Sequence, residues 1–467
     1  MLSSLFVAAI AMASPDTVPF AEPVLLGETL SPPVMAALSQ SWMDAGGGDR
    51  VSLLGAEDAT RAVLMPASGM FSSNPSPRSA PTEVHVSFAT YAAMPLPSSG
   101  IAGAPDHTVS EVAELGFSAA DLEKAVKAID AEVHRGAMPG AALAVGRRDH
   151  PVLEKGIGTV DLSLNSATVD PDYTIYDLAS LTKVVATTTA VMLLWEDGRI
   201  DLDAPVRRYV PEFSGGNHDL VTIRHLLTHT SGLPAGGDWE RLSHEEIWSR
   251  VHSARLQWQP GTRMEYSDIG FMLLWEAAEN AYGAPIPELL ENRVFGPLEM
   301  KYTNFLPGPT CVRCAPTDER PGYRGVVHDP IARGLGGVAG HAGLFSTAHD
   351  LSRFAAMLAN GGELDGVRVL NPATIKLFTQ RQPGAGVRAL GWETPDERGV
   401  GSGGLSISPG SFGHTGFTGT SLWVDPERGT WAVLLTNRTL HPQGANRIQE
   451  LRREVNTLVA HSVDSAR

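Results

Sequence analysis

Cationic side chains are scarce in this chain. Its 36 Lys and Arg face 52 Asp and Glu, a net charge of −16 at pH 7, and only 6 of the cations are Lys. Phosphate binding needs clustered Lys and Arg. With no basic run or basic amphipathic helix to offset the balance, no nucleic-acid partner is expected. The acidity itself implies solubility and repulsion from anionic surfaces, nothing finer. Long apolar runs are also missing. No stretch approaches the roughly 20 residues of a membrane-spanning helix. Cysteine is nearly absent, with Cys311 and Cys314 in Cys-Val-Arg-Cys as the only two. A structural zinc takes four ligands and there is no second pair, so zinc is not expected. The surrounding sequence has no βαβ pattern to make a thioredoxin-like redox centre. A small loop disulfide stays open for an exported protein, but the expected state is two unlinked loop thiols. No metal and no cofactor is expected.

What is present is a globular profile. Apolar residues make up 43% and charged residues 19% of 467 positions, enough for two or three ordinary domains or one large two-lobed one. Residues 5–13 form an apolar run ending Ala11-Met12-Ala13. This is similar to a signal-peptide core and its small-residue cleavage site, although no Lys or Arg precedes it. Residues 1–13 are therefore read as a signal peptide and the protein as periplasmic or secreted, with a cytoplasmic protein as the alternative. Residues 14–116 are rich in Pro, Ser and Ala, as in Asn74-Pro75-Ser76-Pro77, and give no strong periodicity. Short pieces such as residues 84–91 have strand character, but no fold is assigned there. Residues 117–467 read as the main domain.

Within it, Ser118 followed by Asp121 marks a helix start, with Leu122, Val126, Ile129 and Val133 on one face. Residues 140–146 and 151–157 read as strands joined by a polar turn at 147–150. Ser180 opens an apolar helix running to about Glu196, where Asp197-Gly198 stops it. Helices are expected near 222–230, 243–254, 268–281, 349–361 and 371–379. Strands at 420–424 and 430–435 flank a turn, and an amphipathic helix covers roughly 445–460. A strand hairpin early and another late can share one antiparallel sheet, with the middle folding as a helical lobe.

Ser180-Leu181-Thr182-Lys183 is the one Ser-x-x-Lys in the chain. Residues i and i+3 share a helix face, so hydroxyl and amine come within reach of each other. The helix N-terminus adds unpaired N–H groups and a positive field that favour an alkoxide or oxyanion. The pattern is weak alone, because an N-capping serine beside a solvent lysine would look the same. The apolar run after Lys183 argues that this helix is buried. Tyr266-Ser267-Asp268 follows 86 positions after Ser180, and His414-Thr415-Gly416 follows 148 positions after Tyr266.

In this order the three motifs resemble those of the serine β-lactamase and D,D-peptidase superfamily, on the branch of class C β-lactamases, related esterases and low-molecular-weight penicillin-binding proteins. That family shows Ser-x-x-Lys, Tyr-x-Asn, then Lys-Thr-Gly or His-Thr-Gly. Leu226-Leu227-Thr228-His229-Thr230-Ser231-Gly232 and Gly336-Gly337-Val338-Ala339-Gly340-His341 add to the likeness, which covers about residues 117–460. The resemblance implies an α+β fold, an antiparallel sheet flanked by helices with a mainly helical lobe. It implies Ser180 as nucleophile, Lys183 and Tyr266 as the proton-transfer network, and His414 facing the pocket from an edge strand beside Thr415 and Gly416. It places the oxyanion hole at the N–H groups of Ser180 and Phe417.

Two departures bear on substrate. Asp268 stands where the family often has Asn, and an ionised Asp only accepts hydrogen bonds. It can pair with Lys183, hold it protonated and leave the base role to Tyr266. His414 stands in place of Lys and weakens a fixed positive charge for a substrate carboxylate. Both lean away from an efficient β-lactamase. The spacing of His225 and His229 invites a metal reading, but no His-Glu-x-x-His and no third ligand accompany it. A structural role near the site is expected instead, and the His341 loop is expected to support the site wall. The leading expectation is a hydrolase of small esters or amides. A D,D-carboxypeptidase or class C-type β-lactamase acting on a peptidoglycan-like or β-lactam substrate is the first alternative. A non-catalytic penicillin-binding or sensor protein is the second.

Overall fold

In this computed structural model the described residues are 109–396, 401–440 and 447–464, with two short strands, Leu25–Gly27 and Arg61–Val63, earlier in the chain. The apolar N-terminus and residues 84–91 lie outside them. The chain divides into two compact units, 1–101 and 102–467. In the first, Leu25–Gly27 pairs antiparallel with Arg61–Val63.

The second unit is built on a five-stranded antiparallel sheet. Strands β1 (Gly140–Arg147) and β2 (His150–Gly158) form the early hairpin, where the sequence places it. Three further two- or three-residue strands, β3 (Tyr176–Asp177), β4 (Asn304–Phe305) and β5 (Leu344–Ser346), make a small separate sheet in the order β3-β5-β4. Strands β6 (Phe412–Thr415), β7 (Ser421–Asp425) and β8 (Thr430–Thr436) complete the main sheet in the order β6-β7-β8-β1-β2. The two ends of the domain meet where β8 pairs with β1, from Thr430 opposite Arg147 to Thr436 opposite Ala141. Early and late strands thus share one sheet, as the patterning implies, and β6 lies at its edge.

Both faces of that sheet are covered, which is why β1 and β8 read as unbroken apolar runs. Successive side chains point to opposite faces. Ala141, Leu143, Val145, Ala432 and Leu434 join Ile129 of α1 (Ala119–His134) in one core. Ala142, Ala144, Val433 and Leu435 face a larger core on the other side. Ser118 caps α1, its hydroxyl accepting the N–H of Asp121, and Leu122 and Ile129 are its buried residues on the expected face.

The apolar segment after Ser180 departs from a regular helix. A 3-10 turn (Ala179–Leu181) leads into a π-helical stretch (Lys183–Thr188), and only then into α2 (Thr189–Glu196). Val184-Val185 and Thr187-Thr188-Thr189 are β-branched and crowd an ordinary helical turn. The Thr189 hydroxyl donates to the Val184 carbonyl five residues back, at 2.9 Å, and stabilises the wider turn. The stop at Asp197-Gly198 is as expected.

The helical lobe follows as α3 (Ile223–Leu227), α4 (His244–His252) and α5 (Asp268–Tyr282), with α6 (Ala348–Ala359) and α7 (Pro372–Thr379) after it. The last helix, α8 (Ile448–Asp464), starts and ends a few residues later than its sequence pattern implies and packs with α1 on the smaller core. Cys311 and Cys314 are joined by a disulfide, Cα–Cα 5.4 Å. This corrects the expectation of two unlinked thiols. Cys314 N–H donates to Cys311 O at 3.2 Å, a tight turn that sets the two Cβ atoms face to face. No helix among the described residues is long and apolar enough to cross a membrane.

Candidate active site

Ser180 sits half-buried where β3 turns into the buried helix. The residue before it, Ala179, has φ 47°, a left-handed conformation that costs a non-glycine residue free energy and needs local support. Asp177 supplies it. Its buried carboxylate accepts the Ala179 N–H at 2.8 Å through one oxygen and the His328 N–H at 2.6 Å through the other. Burial pushes this carboxyl up to about 6.

Lys183 is fully buried and donates three hydrogen bonds or ion-pair contacts. They run to Ser180 Oγ at 3.1 Å, to the His341 carbonyl at 3.0 Å and to Asp268 Oδ1 at 2.6 Å. Two of these are hydrogen bonds, to Ser180 and His341, and the third is the ion pair with Asp268. Burial alone would pull the lysine down, but Asp268 and Tyr266 outweigh it and hold it above its ordinary value. Lys183 is therefore an ammonium in the resting site.

Ser267 caps α5 by accepting the Gly270 N–H at 3.1 Å, and this cap sets Tyr266 and Asp268 on either side of it. The Tyr266 ring centroid lies 5.0 Å from Lys183 Nζ, 4.4 Å from the His229 ring and 6.1 Å from the His414 ring. His229 Nδ1 accepts the Ser267 N–H at 3.0 Å, which puts its proton on Nε2. His414 has the opposite tautomer, its Nδ1–H donating to the Thr415 carbonyl at 2.8 Å. Burial, then the charge of Arg388 and that of Lys183, push both rings well below the ordinary histidine value, so both are neutral.

The turn after β6 is bolted to the strand before Ser180. Thr418 Oγ1 donates to Asp177 O at 2.7 Å, and Thr420 Oγ1 donates to Leu178 O at 3.0 Å. A Cβ on Gly416 would lie 2.2 Å from Thr420 Oγ1 and 2.3 Å from Leu178 O, so only glycine fits. The Gly416–Phe417 peptide is thereby held beside Ala179. Arg452, buried on α8, donates to Gly416 O at 2.6 Å and Thr420 O at 2.9 Å. The Phe417 side chain is exposed and stacks on His328, ring centroids 5.2 Å apart.

A family model described as Beta-lactamase matches residues 124–457 of the chain. The chain belongs to the β-lactamase family. This serine hydrolase is 30% identical over 378 residues to a protein of Salmonella agona named "Putative D-alanyl-D-alanine carboxypeptidase", covering 72% of this chain and 87% of that one. Its fold is similar to that of a penicillin-binding protein homologue from Caulobacter crescentus, at TM-score 0.59 and 21% identity over 73% of this chain and 97% of the other. It is also similar to that of EstCE1, a hydrolase with promiscuous acyltransferase activity, at TM-score 0.58 and 22% identity over 72% and 99%.

Of the residues singled out from sequence, Ser180, Lys183, Tyr266, Asp268 and His414 converge in this hydrolase, with Thr415, Gly416 and Phe417 following on β6 and its turn. His225 and His229 do not act as a pair. His225 Nδ1 accepts the Thr222 N–H in the cap of α3, whereas His229 packs on Tyr266. The His341 loop meets the helix through two carbonyls, Gly340 O accepting from Thr187 at 2.6 Å and His341 O from Lys183. Three residues were missed. Asp177 and Arg452 act from behind the site, and Arg388 places its guanidinium carbon 5.3 Å from the Tyr266 ring centroid. Arg452 leaves a trace in the sequence as a charge on the apolar stripe of α8, and Asp177 as the acidic residue opening the stretch that carries Ser180.

Proposed function

We propose that this β-lactamase-family hydrolase cleaves small esters or amides through an acyl-enzyme on Ser180. The observation that carries the reading is Lys183 Nζ lying 3.1 Å from Ser180 Oγ while Asp268 holds the amine as an ammonium. A lysine held as an ammonium cannot accept a proton, so it orients Ser180 and leaves the base role to Tyr266. Ser180 Oγ forms a bond to the carbonyl carbon as its proton passes to the Tyr266 oxygen and the Tyr266 hydroxyl proton moves on towards the leaving atom. The carbonyl π pair moves onto oxygen, where the N–H groups of Ser180 and Phe417 receive it. The pair returns, the leaving group departs with the proton from Tyr266, and water repeats the sequence to free the acid and Ser180. Arg452 donates to the carbonyl of the same peptide whose N–H is the Phe417 donor, and so strengthens that donor.

A second reading, a D,D-carboxypeptidase or class C-type β-lactamase, uses the same Ser180 and draws support from the Salmonella relative's name. The apolar run at residues 5–13 and the disulfide both fit an exported protein. Side-by-side assays with a short-chain nitrophenyl ester, a D-Ala-D-Ala peptide and a chromogenic cephalosporin separate the readings. Ser180→Ala is expected to abolish turnover and the acyl adduct seen by mass spectrometry. Turnover unchanged in that variant refutes both, and a stable β-lactam adduct without any turnover favours a sensor.

A further inference from the structure

Glu154 on β2 is a carboxylate in a core-facing position. It lies opposite Ala144 of β1, and opposite residues share a face, so its side chain points to the side of the larger core. That side chain is only 4% exposed. Its Oε2 accepts the Nδ1–H of His349 at 3.1 Å, whereas Oε1 is buried and has no hydrogen-bond partner among the described residues. Asp172 comes to the same place. Its Oδ1 is buried, equally unpartnered, and lies 3.7 Å from His349 Nδ1. Burial pushes the Asp172 carboxyl above its ordinary value, and the charges of Glu154 and Asp170 add to that against the pull of His349. Two carboxylates thus share one imidazole, and among the described residues neither has a Lys or Arg partner. One N–H cannot satisfy both, and a buried acceptor left over is costly unless a ligand completes it.

Backbone contacts hold the three residues together from three elements far apart in the chain. His349 lies in the first turn of α6, and its N–H donates to Pro171 O at 3.0 Å. Asp172 sits in a turn at 170–174, closed by Thr174 N–H donating to Asp170 O at 2.8 Å. The segment before that turn lies against β2. Val169 N–H donates to Gly158 O at 3.1 Å, and a Cβ on Gly156 would lie 1.9 Å from Val169 O. One ligand atom from each of Glu154, Asp172 and His349 lies within 4.8 Å of the other two. Around a tetrahedral ion with bonds of about 2.0–2.1 Å, ligand atoms stand about 3.3 Å apart. Side-chain rotation absorbs a difference of that size.

We propose that Glu154, Asp172 and His349 bind one divalent transition-metal ion, with zinc the best fit. The two carboxylates balance its charge, and the imidazole selects it over Ca2+ and Mg2+, which take oxygen ligands. The ion takes the place of the Nδ1 proton, which leaves to solvent, and the imidazole keeps its proton on Nε2. His349, 42% exposed, gives access, and water completes the shell. None of the three residues belongs to the group around Ser180, so the proposal stands whether or not the acyl-transfer reading does. Bound there, the ion ties the edge strand β2 to α6 and to the turn leading into β3. From β3, Asp177 supports the left-handed Ala179 beside Ser180.

The test uses the untagged full chain, stripped with a chelator and titrated with Zn2+ by calorimetry, the bound metal being counted by elemental analysis. One equivalent per chain is expected. Zinc at about 100-fold over its Kd should also raise Tm by a few degrees. Ca2+ and Mg2+ should do neither. Co2+ in the same site should give the visible absorption of a nitrogen- and oxygen-ligated ion. Loss of an outer partner of a metal ligand already costs about 10- to 100-fold in affinity. His349→Gln, Asp172→Asn and Glu154→Gln should therefore each weaken zinc by at least that factor and remove the Co2+ band. Should the buried Glu154→Gln fail to fold, the decision falls to His349→Gln, at the exposed side of the cluster. Wild type that takes up no zinc overturns the proposal. So does zinc held as tightly by His349→Gln as by wild type, or Ca2+ held as tightly as zinc.

Discussion

Replacing Asp268 by Asn tests the electrostatic logic of the site most directly. The carboxylate oxygen is 2.6 Å from an amine with no solvent exposure. At an effective dielectric of about 20 the Coulomb attraction across that distance is about 6 kcal/mol before desolvation is subtracted. Asp268 itself is about one-third exposed, which places the net loss at the lower end of the range for breaking a buried pair, about 3 kcal/mol. The sign with pH follows from Lys183. In wild type it is held above its ordinary value, so its contribution to stability is complete at neutral pH and is lost only as pH rises through that raised value. In Asp268→Asn the opposing carboxylate is gone, and burial, the largest influence on this lysine, is opposed by Tyr266 alone. The folded-state pKa then falls below that of the unfolded chain, and the variant should gain stability as pH rises from neutrality towards about 10. Kinetically, part of Lys183 becomes an uncharged amine near neutrality, and the pH profile of kcat/KM should acquire an ascending limb absent from wild type. Denaturant unfolding from pH 6 to 10, with pH–rate profiles on a nitrophenyl ester, reads both. Parallel stability curves for the two proteins would refute the ion-pair account, whatever happened to the rate.

Arg452→Met removes the donors to Gly416 O and Thr420 O. It is expected to lower kcat about 10- to 100-fold with little change in KM, and to weaken a boronate transition-state analogue by a similar factor. Equal weakening of substrate and analogue would reduce Arg452 to packing. Gly416→Ala sets a methyl against Leu178 O and Thr420 Oγ1 and should displace the Phe417 N–H. A fall in kcat of at least about 100-fold in a protein that still melts cooperatively is the expected result, and near-normal kcat would remove Phe417 from the oxyanion hole.

The parts legible in the sequence were those where burial dictates residue type over a whole element. Strands β1 and β8 are sandwiched between two cores, so residues 140–146 and 430–435 had to be apolar throughout and could be read as strands. The cap of α1 was legible because Ser118 and Asp121 are local. The π-helical stretch was not, since Val-Val-Ala-Thr-Thr-Thr is apolar enough for a helix and its β-branched crowding shows only once the chain is packed. Cys-x-x-Cys is compatible with free or bonded thiols, and the turn geometry decides it. Arg388 has no motif, and only the fold brings it to the Tyr266 ring.

Asp268, His414 and Arg388 bear on one question, which is where the site keeps its positive charge. With the family's Tyr-x-Asn and Lys-Thr-Gly, neither lysine has a carboxylate partner within those motifs. Here Asp268 cancels Lys183, and His414 is neutral in a buried setting. If nothing else changed, the pocket would have no net cation, and in a chain of net charge −16 it would repel anionic substrates. Arg388 restores one positive charge, displaced from β6 to the loop beside Tyr266.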